Sequence, residues 1–308
     1  MVITLDESEV RAALRWPELI DAMEAALAAF STGRVLQPVR NMIAIEEDRR
    51  YLGVMPAVGL DVTGLNAMGL KLVSFYPCNA GSGIPTHMGM VLLFRPETGE
   101  PLAVLDGRVI TEMRTAAVSA AVIRALAAPQ SGVLAVLGSG VQARAHLEAL
   151  VNVCRFDRVK VWSRTPAHAR RLAAEYGGVA TDAESAVRDA DVVVTATSSR
   201  QPVLKGAWLK PGALVNAVGA PRPHWRELDD EAMSNLLVVD SREGVLKESG
   251  DVILSGARIY AEAGEIFAGR VEAPRDRTTI FKSVGMAVED IAAAKLALDR
   301  HCRLDRSG

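Results

Sequence analysis

A glycine-rich turn after an apolar run is the first feature whose residue types could do chemistry. Val133–Leu137 is wholly apolar, which is typical of a parallel strand covered on both faces. In the turn that follows, Gly138 permits a sharp bend and Gly140 lets a phosphate approach the backbone. A helix is predicted from Val141 to Val151, and its N-terminal N–H groups would point at that anion. Strand, turn and helix together predict a dinucleotide-binding site rather than a structural turn.

The segment after the next predicted strand indicates which dinucleotide binds. Arg158–Trp162 predicts the strand, and Ser163, Arg164 and Thr165 follow it. A site specific for NAD places an acidic residue roughly 20 positions beyond the glycines, and this segment has none. A guanidinium pairs with a phosphate through two hydrogen bonds, and neighbouring hydroxyls donate to it. The segment therefore favours NADPH, with a solvated surface arginine as the alternative.

Ionisable residues also border apolar segments before the glycine turn: Arg40, Lys71, His87 and Arg114. Lys71 interrupts an apolar run predicted to be a largely buried strand, where a lysine either reaches the sheet edge or lines a cleft facing a negative partner. Arg114 stands early in a predicted helix over Val109–Ala127, where the helix dipole disfavours a cation. These patterns fit a carboxylate-bearing substrate and fit ordinary surface or ion-paired residues equally well.

The surrounding elements predict an α/β protein of two domains. Before the glycine turn, a helix over Pro17–Ser31 precedes short β-like runs, which indicates a small mixed or antiparallel sheet. After it, strands and helices alternate as in a parallel Rossmann-type sheet. A last helix, Ser283 to His301, is expected to return to the first domain. We predict a smaller α+β substrate-binding domain of residues 1–118 plus 286–308, and an NADP-binding Rossmann domain of residues 119–285.

Charge and composition narrow the functional classes. The 308 residues carry 35 Lys and Arg against 37 Asp and Glu, a net charge of −2, so no basic field favours nucleic acid or an anionic membrane. The N-terminal residues lack the pattern of a signal peptide, and no apolar run reaches the length of a membrane span. Three scattered cysteines form neither a disulfide framework nor a metal-binding pattern. We expect a cytoplasmic protein without a metal.

Longer motifs go beyond these patterns. The sequence resembles the ornithine cyclodeaminase/mu-crystallin family along essentially its whole length, and is most similar to its mu-crystallin-like ketimine reductases. The motifs that carry this resemblance are Tyr51–Pro56, Gly69–Val73, Val109–Ser119, Leu137–Ala143, Trp225–Glu231, Leu246–Val252 and Phe281–Asp290. The resemblance implies NAD(P)H-dependent reduction of 1-pyrroline-2-carboxylate to L-proline and of 1-piperideine-2-carboxylate to L-pipecolate, hence a role in proline metabolism. It also implies a homodimer formed through the first domain.

The resemblance assigns roles to individual residues. Arg40, Lys71 and Arg114 match positions that hold the substrate carboxylate and face the reacting carbon. We predict Lys71 as the first candidate to protonate the imine nitrogen, with burial and nearby arginines lowering its pKa, and His87 as the second; an ordered water is the third. The predicted cofactor-binding residues are His87, Arg114, Thr115, Gly138, Ser139, Gly140, Val141, Gln142, Ser163, Arg164, Thr165, His168, Thr195, Val218, Gly219 and Ser283.

One departure from the family pattern separates the possible reactions. Cyclodeaminases of the family carry an aspartate that works on the substrate amine, and Pro221 stands at that position here. Proline supplies neither a carboxylate nor a backbone donor, so ornithine cyclodeamination is disfavoured. Alanine dehydrogenase or an opine-type reductive aminase stays open, as does a non-catalytic, crystallin-like protein that binds NADPH or a small ligand.

Overall fold

The computed structural model describes residues 2–47, 49–62, 65–79 and 81–304. The chain divides into two compact units, and each is described separately below. Unit 1 contains residues 1–114 and 286–308, and unit 2 contains residues 115–285. The first division falls inside a helix between Arg114 and Thr115, whereas the sequence placed it after residue 118.

The first part of unit 1 contains two helices, the strands of its sheet and the start of a third helix. In chain order the elements are β1 (Ile3–Leu5), α1 (Glu7–Ala13), α2 (Trp16–Ser31), β2 (Val35–Leu36), β3 (Asn41–Glu46), β4 (Arg50–Val62), β5 (Leu65–Phe75), β6 (His87–Phe94), β7 (Pro101–Asp106) and α3 (Gly107–Leu126), of which residues 115–126 belong to unit 2. Asp6 caps α1 by accepting from the Glu9 N–H. The strands form a mixed sheet in the order β1-β7-β6-β5-β4-β2, with β3 also paired to β4.

Unit 2 contains the alternating strands and helices that follow. Its elements are β8 (Val133–Leu137), α4 (Val141–Leu150), β9 (Arg158–Trp162), α5 (Pro166–Glu175), β10 (Val179–Ala180), α6 (Ala183–Val187), β11 (Val192–Thr195), β12 (Leu214–Ala217), α7 (Asp230–Met233), β13 (Leu236–Val239), α8 (Arg242–Glu248), α9 (Gly250–Ser255), β14 (Ile259–Glu262), α10 (Ala263–Phe267) and β15 (Thr279–Lys282). The chain ends with α11 (Ala287–Leu304), which belongs to unit 1.

The sheet of unit 2 is parallel throughout. Its order is β10-β9-β8-β11-β12-β15-β13-β14, with every neighbouring pair parallel. Strands β8, β11, β12 and β15 are buried along their whole length, as expected for apolar strands covered on both faces. This is the predicted Rossmann-type sheet, and the α/β fold class is confirmed. Since the strands are parallel, all their carboxyl ends lie at one edge.

The sheet of unit 1 has one covered face, on which α11 packs against β4, β5 and β6 and also against α1 and α2. Met55, Lys71 and Val91 are cross-strand neighbours, so their side chains share a face. All three are buried. Lys71 is therefore a charged residue within the apolar layer between the sheet and α11.

The final helix begins later than the sequence predicts. Helix α11 starts at Ala287 rather than Ser283, because the buried carboxylate of Asp240 binds the preceding turn. Its Oδ2 accepts from the Ser283 hydroxyl at 2.9 Å and from the N–H groups of Val284 and Gly285 at 2.7 Å each. Those N–H groups are held outside the helix, so the turn after β15 becomes a defined loop.

Candidate active site

A buried ionic cluster surrounds Lys71 in unit 1. The Lys71 Nζ lies 2.7 Å from Asp290 Oδ2 and donates to the Thr111 hydroxyl at 3.3 Å. Arg114 donates from Nε to Asp290 Oδ1 at 3.0 Å and from Nη1 to Glu289 Oε2 at 2.6 Å. The side chains of Lys71 and Arg114 are 3% and 6% exposed, and both carboxylates are fully buried. Strand β5 and helices α3 and α11 thus bring these four charges together.

Helix α11 explains why two carboxylates can lie in an apolar layer. Glu289 and Asp290 stand in its first turn, where the positive end of the helix dipole stabilises anions. Glu289 Oε2 also accepts from the Met286 N–H at 3.2 Å, and Gln37 Oε1 accepts from the Val288 N–H at 2.7 Å. The start of the helix is thereby fixed, and the two carboxylates are positioned against the cations.

Burial and neighbouring charges set the protonation of the cluster. Burial lowers the pKa of Lys71 to about 8; the charge of Asp290 opposes this shift, and the charges of Arg114 and Arg40 add to it. Burial raises the pKa of Asp290, but Lys71 and Arg114 outweigh that effect, so the pKa lies below its ordinary value. Near neutral pH, Lys71 is therefore a cation that releases its proton more readily than an exposed lysine.

The charge balance of the cluster suits one further anion. Arg40, half-buried just before β3, is close enough for its charge to lower the pKa of Lys71. Arg40, Lys71 and Arg114 are three cations, and Glu289 and Asp290 are two carboxylates, so these five groups carry a net charge of +1 when ionised. A substrate with a single carboxylate would neutralise that charge.

His87 lies in a different environment from Lys71. It is exposed, its ring centroid is 4.3 Å from that of Phe75, and its Nδ1 is 3.3 Å from the Thr86 hydroxyl. The cross-strand neighbour of Lys71 is Val91 on β6, and that of Phe75 is His87. His87 is four residues from Val91 along β6, a distance of about 13 Å. Within the cluster itself, the ammonium group is the proton donor that the structure provides.

The predicted cofactor residues of unit 2 gather at the carboxyl edge of the parallel sheet. Ser139 and Gly140 follow β8, Ser163 follows β9, Thr195 ends β11, Gly219 follows β12 and Ser283 follows β15. Nucleotides bind at this edge of open parallel sheets, where the strand order reverses. Here the reversal lies between β8 and β11, since β9 and β10 lie to one side and β12 to the other.

The glycine turn fits a dinucleotide. Gly138 has φ +137°, and a Cβ there would lie 2.6 Å from the Ala196 carbonyl oxygen. At Gly140 a Cβ would meet nothing within 4 Å, so the N-terminus of α4 faces open space. Next to it, Val141 is 56% exposed although it is apolar. Ser139 Oγ donates to Ser163 Oγ at 2.8 Å, which joins the turn to the loop after β9. Together these features leave space at the helix N-terminus for an anionic group such as a pyrophosphate.

The remaining predicted cofactor residues are distributed over both units. Arg164, Thr165 and His168 are exposed at the start of α5, Gln142 and Val218 are half-buried, and Thr115 is buried in α3. His87 and Arg114 belong to unit 1, and their contact with a cofactor stays a prediction. Among the described residues, no group of three or more His, Cys, Asp or Glu side chains is arranged to hold a metal ion.

Several buried ionisable residues were not predicted from the sequence. Glu289, Asp290 and Glu227 are all fully buried; adjacent acids opening an otherwise apolar helix were the signal for the first two. His146 on α4 is also fully buried, at 0% exposed. Its ring contacts the Gln142 carbonyl at 2.7 Å and the Ser119 hydroxyl at 2.9 Å. Burial lowers its pKa to about 4, so it is a neutral link between helices α3 and α4.

Comparison with known proteins identifies the family. The sequence pattern of the ornithine cyclodeaminase/mu-crystallin family matches residues 2–303. The chain belongs to this family. A curated member, the ketimine reductase mu-crystallin of Mus musculus, is 49% identical over 303 residues, which cover 96% of each chain. Within the described residues, no helix is both long enough and apolar enough to cross a membrane.

Solved structures of the ornithine cyclodeaminase/mu-crystallin family share the fold. The Thermococcus litoralis Delta(1)-pyrroline-2-carboxylate reductase, solved in complex with NADH and L-proline, superimposes with a TM-score of 0.94 at 34% identity, covering 99% of this chain and 98% of that one. An archaeal alanine dehydrogenase, a dimer with bound NAD, gives a TM-score of 0.92 at 31% identity, with 99% and 97% coverage.

Proposed function

We propose that this protein catalyses the NAD(P)H-dependent reduction of cyclic ketimine carboxylates, namely 1-pyrroline-2-carboxylate to L-proline and 1-piperideine-2-carboxylate to L-pipecolate. The observation that carries the proposal is the buried cluster of Lys71, Arg114 and Asp290, with an ammonium group of lowered pKa beside fixed guanidinium charge. The 49% identity to a ketimine reductase and the likeness to a pyrroline-2-carboxylate reductase support it.

The cluster residues divide the chemistry between them. Arg40 and Arg114 hold the substrate carboxylate, which fixes the orientation of the ring and of its C=N bond. The Lys71 ammonium donates a proton to the imine nitrogen, so the carbon becomes more electrophilic. Asp290 keeps Lys71 protonated and in place through their 2.7 Å ion pair. When the C=N bond has become a C–N single bond, Lys71 is neutral and regains a proton from solvent.

The carboxyl edge of the unit 2 sheet holds the cofactor. When bound there, NAD(P)H would supply the hydride needed to reduce the imine. Gly138, Ser139, Gly140 and the N-terminus of α4 would hold the pyrophosphate, because Gly140 leaves that helix end open. We propose a preference for NADPH, supported by the exposed Arg164 and Thr165 at the end of β9, where no acidic residue stands.

The test of this function mixes purified protein with NADPH and 1-pyrroline-2-carboxylate and follows the loss of reduced-nicotinamide absorbance and the formation of proline. A Lys71→Met variant should lose at least about 100-fold in kcat, the usual contribution of a positioned proton donor. The matched control is Lys247→Met, since Lys247 is a surface lysine paired with Glu243 on α8. Wild-type turnover in Lys71→Met would remove Lys71 from the proton role. NADPH binding without turnover of any imine would refute the reductase function.

Alanine dehydrogenase is the second candidate, because the archaeal alanine dehydrogenase superimposes at a TM-score of 0.92. The same cation cluster would hold the carboxylate of pyruvate. Turnover of pyruvate with ammonia, in the absence of cyclic-imine turnover, would favour it. Pro221 in place of an acid argues against ornithine cyclodeamination, so no ammonia should be released from L-ornithine.

We also propose that the protein is a homodimer formed through unit 1. Ile43, Leu52, Met88 and Met90 lie on the sheet face opposite Lys71 and are 37–50% exposed. A row of exposed apolar side chains on one face is a typical self-association surface. Light scattering should give a dimer for the wild type and a monomer for Met90→Asp. Leu254→Asp is the control, since Leu254 is 55% exposed elsewhere. A dimeric Met90→Asp would place the interface on another surface.

A cytoplasmic location stays a prediction from the sequence.

A further inference from the structure

Outside the Lys71 cluster, a second buried carboxylate lies under the loops at the carboxyl edge of the parallel sheet. Glu227 stands between β12 and α7 and is 0% exposed. Its Oε2 accepts from the Thr195 hydroxyl at 2.7 Å and from the Gly219 N–H at 2.9 Å. Its Oε1 accepts from the Thr197 N–H at 2.7 Å and the Thr197 hydroxyl at 2.6 Å. One side chain therefore joins the ends of β11 and β12.

The arrangement of these donors requires a carboxylate. Each oxygen of Glu227 receives one backbone N–H, from Thr197 or from Gly219, and a backbone N–H can only donate. A glutamine has the same shape but would turn an NH₂ group towards one of these donors. The interaction therefore depends on the two acceptor oxygens of Glu227 and not on its volume.

A buried ion pair completes the network. Lys282 Nζ at the end of β15 lies 2.9 Å from Asp251 Oδ2, and both side chains are fully buried. The same Nζ donates to the Gly219 carbonyl at 2.7 Å. Asp251 Oδ1 accepts from the backbone N–H groups of Glu227 at 2.8 Å and Leu228 at 3.0 Å. Gly219 is thus held at its N–H by Glu227 and at its carbonyl by Lys282.

The segment held in this way has a backbone that its local sequence does not favour. Ala220 has φ +50° although it is not glycine, and it precedes Pro221, which disfavours helical backbone in the residue before it. At Gly219 a Cβ would lie 2.2 Å from the Thr197 carbonyl oxygen. Strained backbone of this kind persists only where surrounding contacts over-determine it, and it is common at functional sites.

The strand order indicates which part of the cofactor this loop would face. The loop after β9 is placed for the adenosine ribose and the glycine turn after β8 for the pyrophosphate. The order β9-β8-β11-β12 continues in the same direction. The nicotinamide half of a dinucleotide that extends past β8 would therefore face the ends of β11 and β12, where Thr195 and Gly219 stand.

We propose that Glu227, supported by the Asp251–Lys282 pair, is a positioning residue that holds the loop 218–221 in the shape needed to bind the nicotinamide half of the cofactor. This inference rests on the proposed function in that the carboxyl edge is taken as the cofactor site. Glu227 contacts the ends of β11 and β12 and acts on the cofactor through their backbone.

The experiment separates the two halves of the cofactor. Fluorescence titration measures the affinity of Glu227→Gln for NADPH and for 2′,5′-ADP, which contains the adenosine part alone. We expect NADPH to bind about tenfold more weakly, since a buried backbone donor loses its acceptor, while the affinity for 2′,5′-ADP is unchanged. Glu227→Asp keeps the carboxylate and should recover part of the loss. Glu231→Gln is the control, because Glu231 is exposed on α7 and should bind both ligands like the wild type.

Each outcome decides the inference. Unchanged NADPH affinity in folded Glu227→Gln overturns it, and so does an equal loss of NADPH and 2′,5′-ADP, which would indicate a general structural role. If Glu227→Gln does not fold, Thr197→Val replaces it, since this variant removes one hydroxyl donor to Glu227. An affinity for NADPH that falls about twofold or more, with unchanged affinity for 2′,5′-ADP, supports the inference. Unchanged affinity for NADPH overturns it. The titrations contain no imine, so a wild type without reductase activity refutes the proposed function but leaves this test valid.

Discussion

Replacing Asp290 by asparagine tests whether the buried ion pair controls catalysis. Asp290 Oδ1 faces Arg114 Nε at 3.0 Å, and Oδ2 faces Lys71 Nζ at 2.7 Å. Asparagine has the same shape and no charge, and its NH₂ group must face one of these cations. The substitution therefore removes the anion that raises the pKa of Lys71, while burial, Arg114 and Arg40 continue to lower it. The pKa of Lys71 should fall further.

The size of the effect follows from the pKa of Lys71. With a pKa of about 8, about nine-tenths of Lys71 is protonated at pH 7. A carboxylate at ion-pair distance shifts a neighbouring pKa by about 1–3 units. Removing it would leave between about half and about one-hundredth of Lys71 protonated at pH 7, so kcat at that pH should fall about 2- to 100-fold. In the wild type, kcat should decline as the pH rises through about 8.

The assay is a profile of kcat against pH with 1-pyrroline-2-carboxylate and saturating NADPH. Deuterium at the transferred position of the cofactor shows whether hydride transfer limits the rate. The descending limb for Asp290→Asn should lie at lower pH than that of the wild type, and activity should recover as the pH is lowered. Circular dichroism checks the fold, because removing one partner of a buried ion pair can cost about 3–5 kcal/mol.

The matched control is Asp299→Asn on the same helix. Asp299 also pairs with a lysine, Lys295 at 2.5 Å, but its side chain is 47% exposed, so its pH profile should equal that of the wild type. A folded Asp290→Asn whose descending limb stays where the wild type has it would refute the reasoning. Either Lys71 would not be the group whose protonation limits the reaction, or Asp290 would not control that protonation.

Three further predictions concern the cofactor site and the proposed specificity. Arg164→Asp should weaken NADPH binding about 10- to 100-fold and NADH binding much less, because a charged hydrogen bond to the 2′-phosphate contributes about 1.5–3 kcal/mol. Equal losses of affinity for NADPH and NADH in fluorescence titrations would contradict an NADPH preference. Gly138→Ala should lower the melting temperature, since its Cβ would lie 2.6 Å from the Ala196 oxygen at φ +137°. Gly140→Ala should keep the wild-type melting temperature, because its Cβ meets nothing within 4 Å. It should raise the KM for NADPH, since a methyl group would occupy the space for the pyrophosphate. A lower melting temperature for Gly140→Ala, or an unchanged one for Gly138→Ala, would contradict these roles.

Local sequence was sufficient for much of the fold. Apolar runs such as Val133–Leu137 identified the buried strands, because a parallel strand covered on both faces must be apolar throughout. The glycine turn was recognisable because only glycine tolerates the backbone of Gly138. The family was also recognisable from ordered motifs and is confirmed. The strand β15 was not predicted, because it has only four residues and one of them is a lysine. Its pairing with β12 on one side and β13 on the other, which makes it an interior strand of the sheet, is visible only in the structure.

The sequence by itself determined which charges the protein carries and where along the chain they stand: Lys71 in an apolar strand, Arg114 early in a helix and Pro221 in place of an acid. Tertiary structure alone decided which charges face one another. Arg114 and Asp290 are 176 positions apart and form a 3.0 Å contact, and Glu227 joins two strand ends from the loop between β12 and α7. Hydrophobic periodicity reports burial of a local segment, whereas the partner of a buried charge comes from whichever element packs against it.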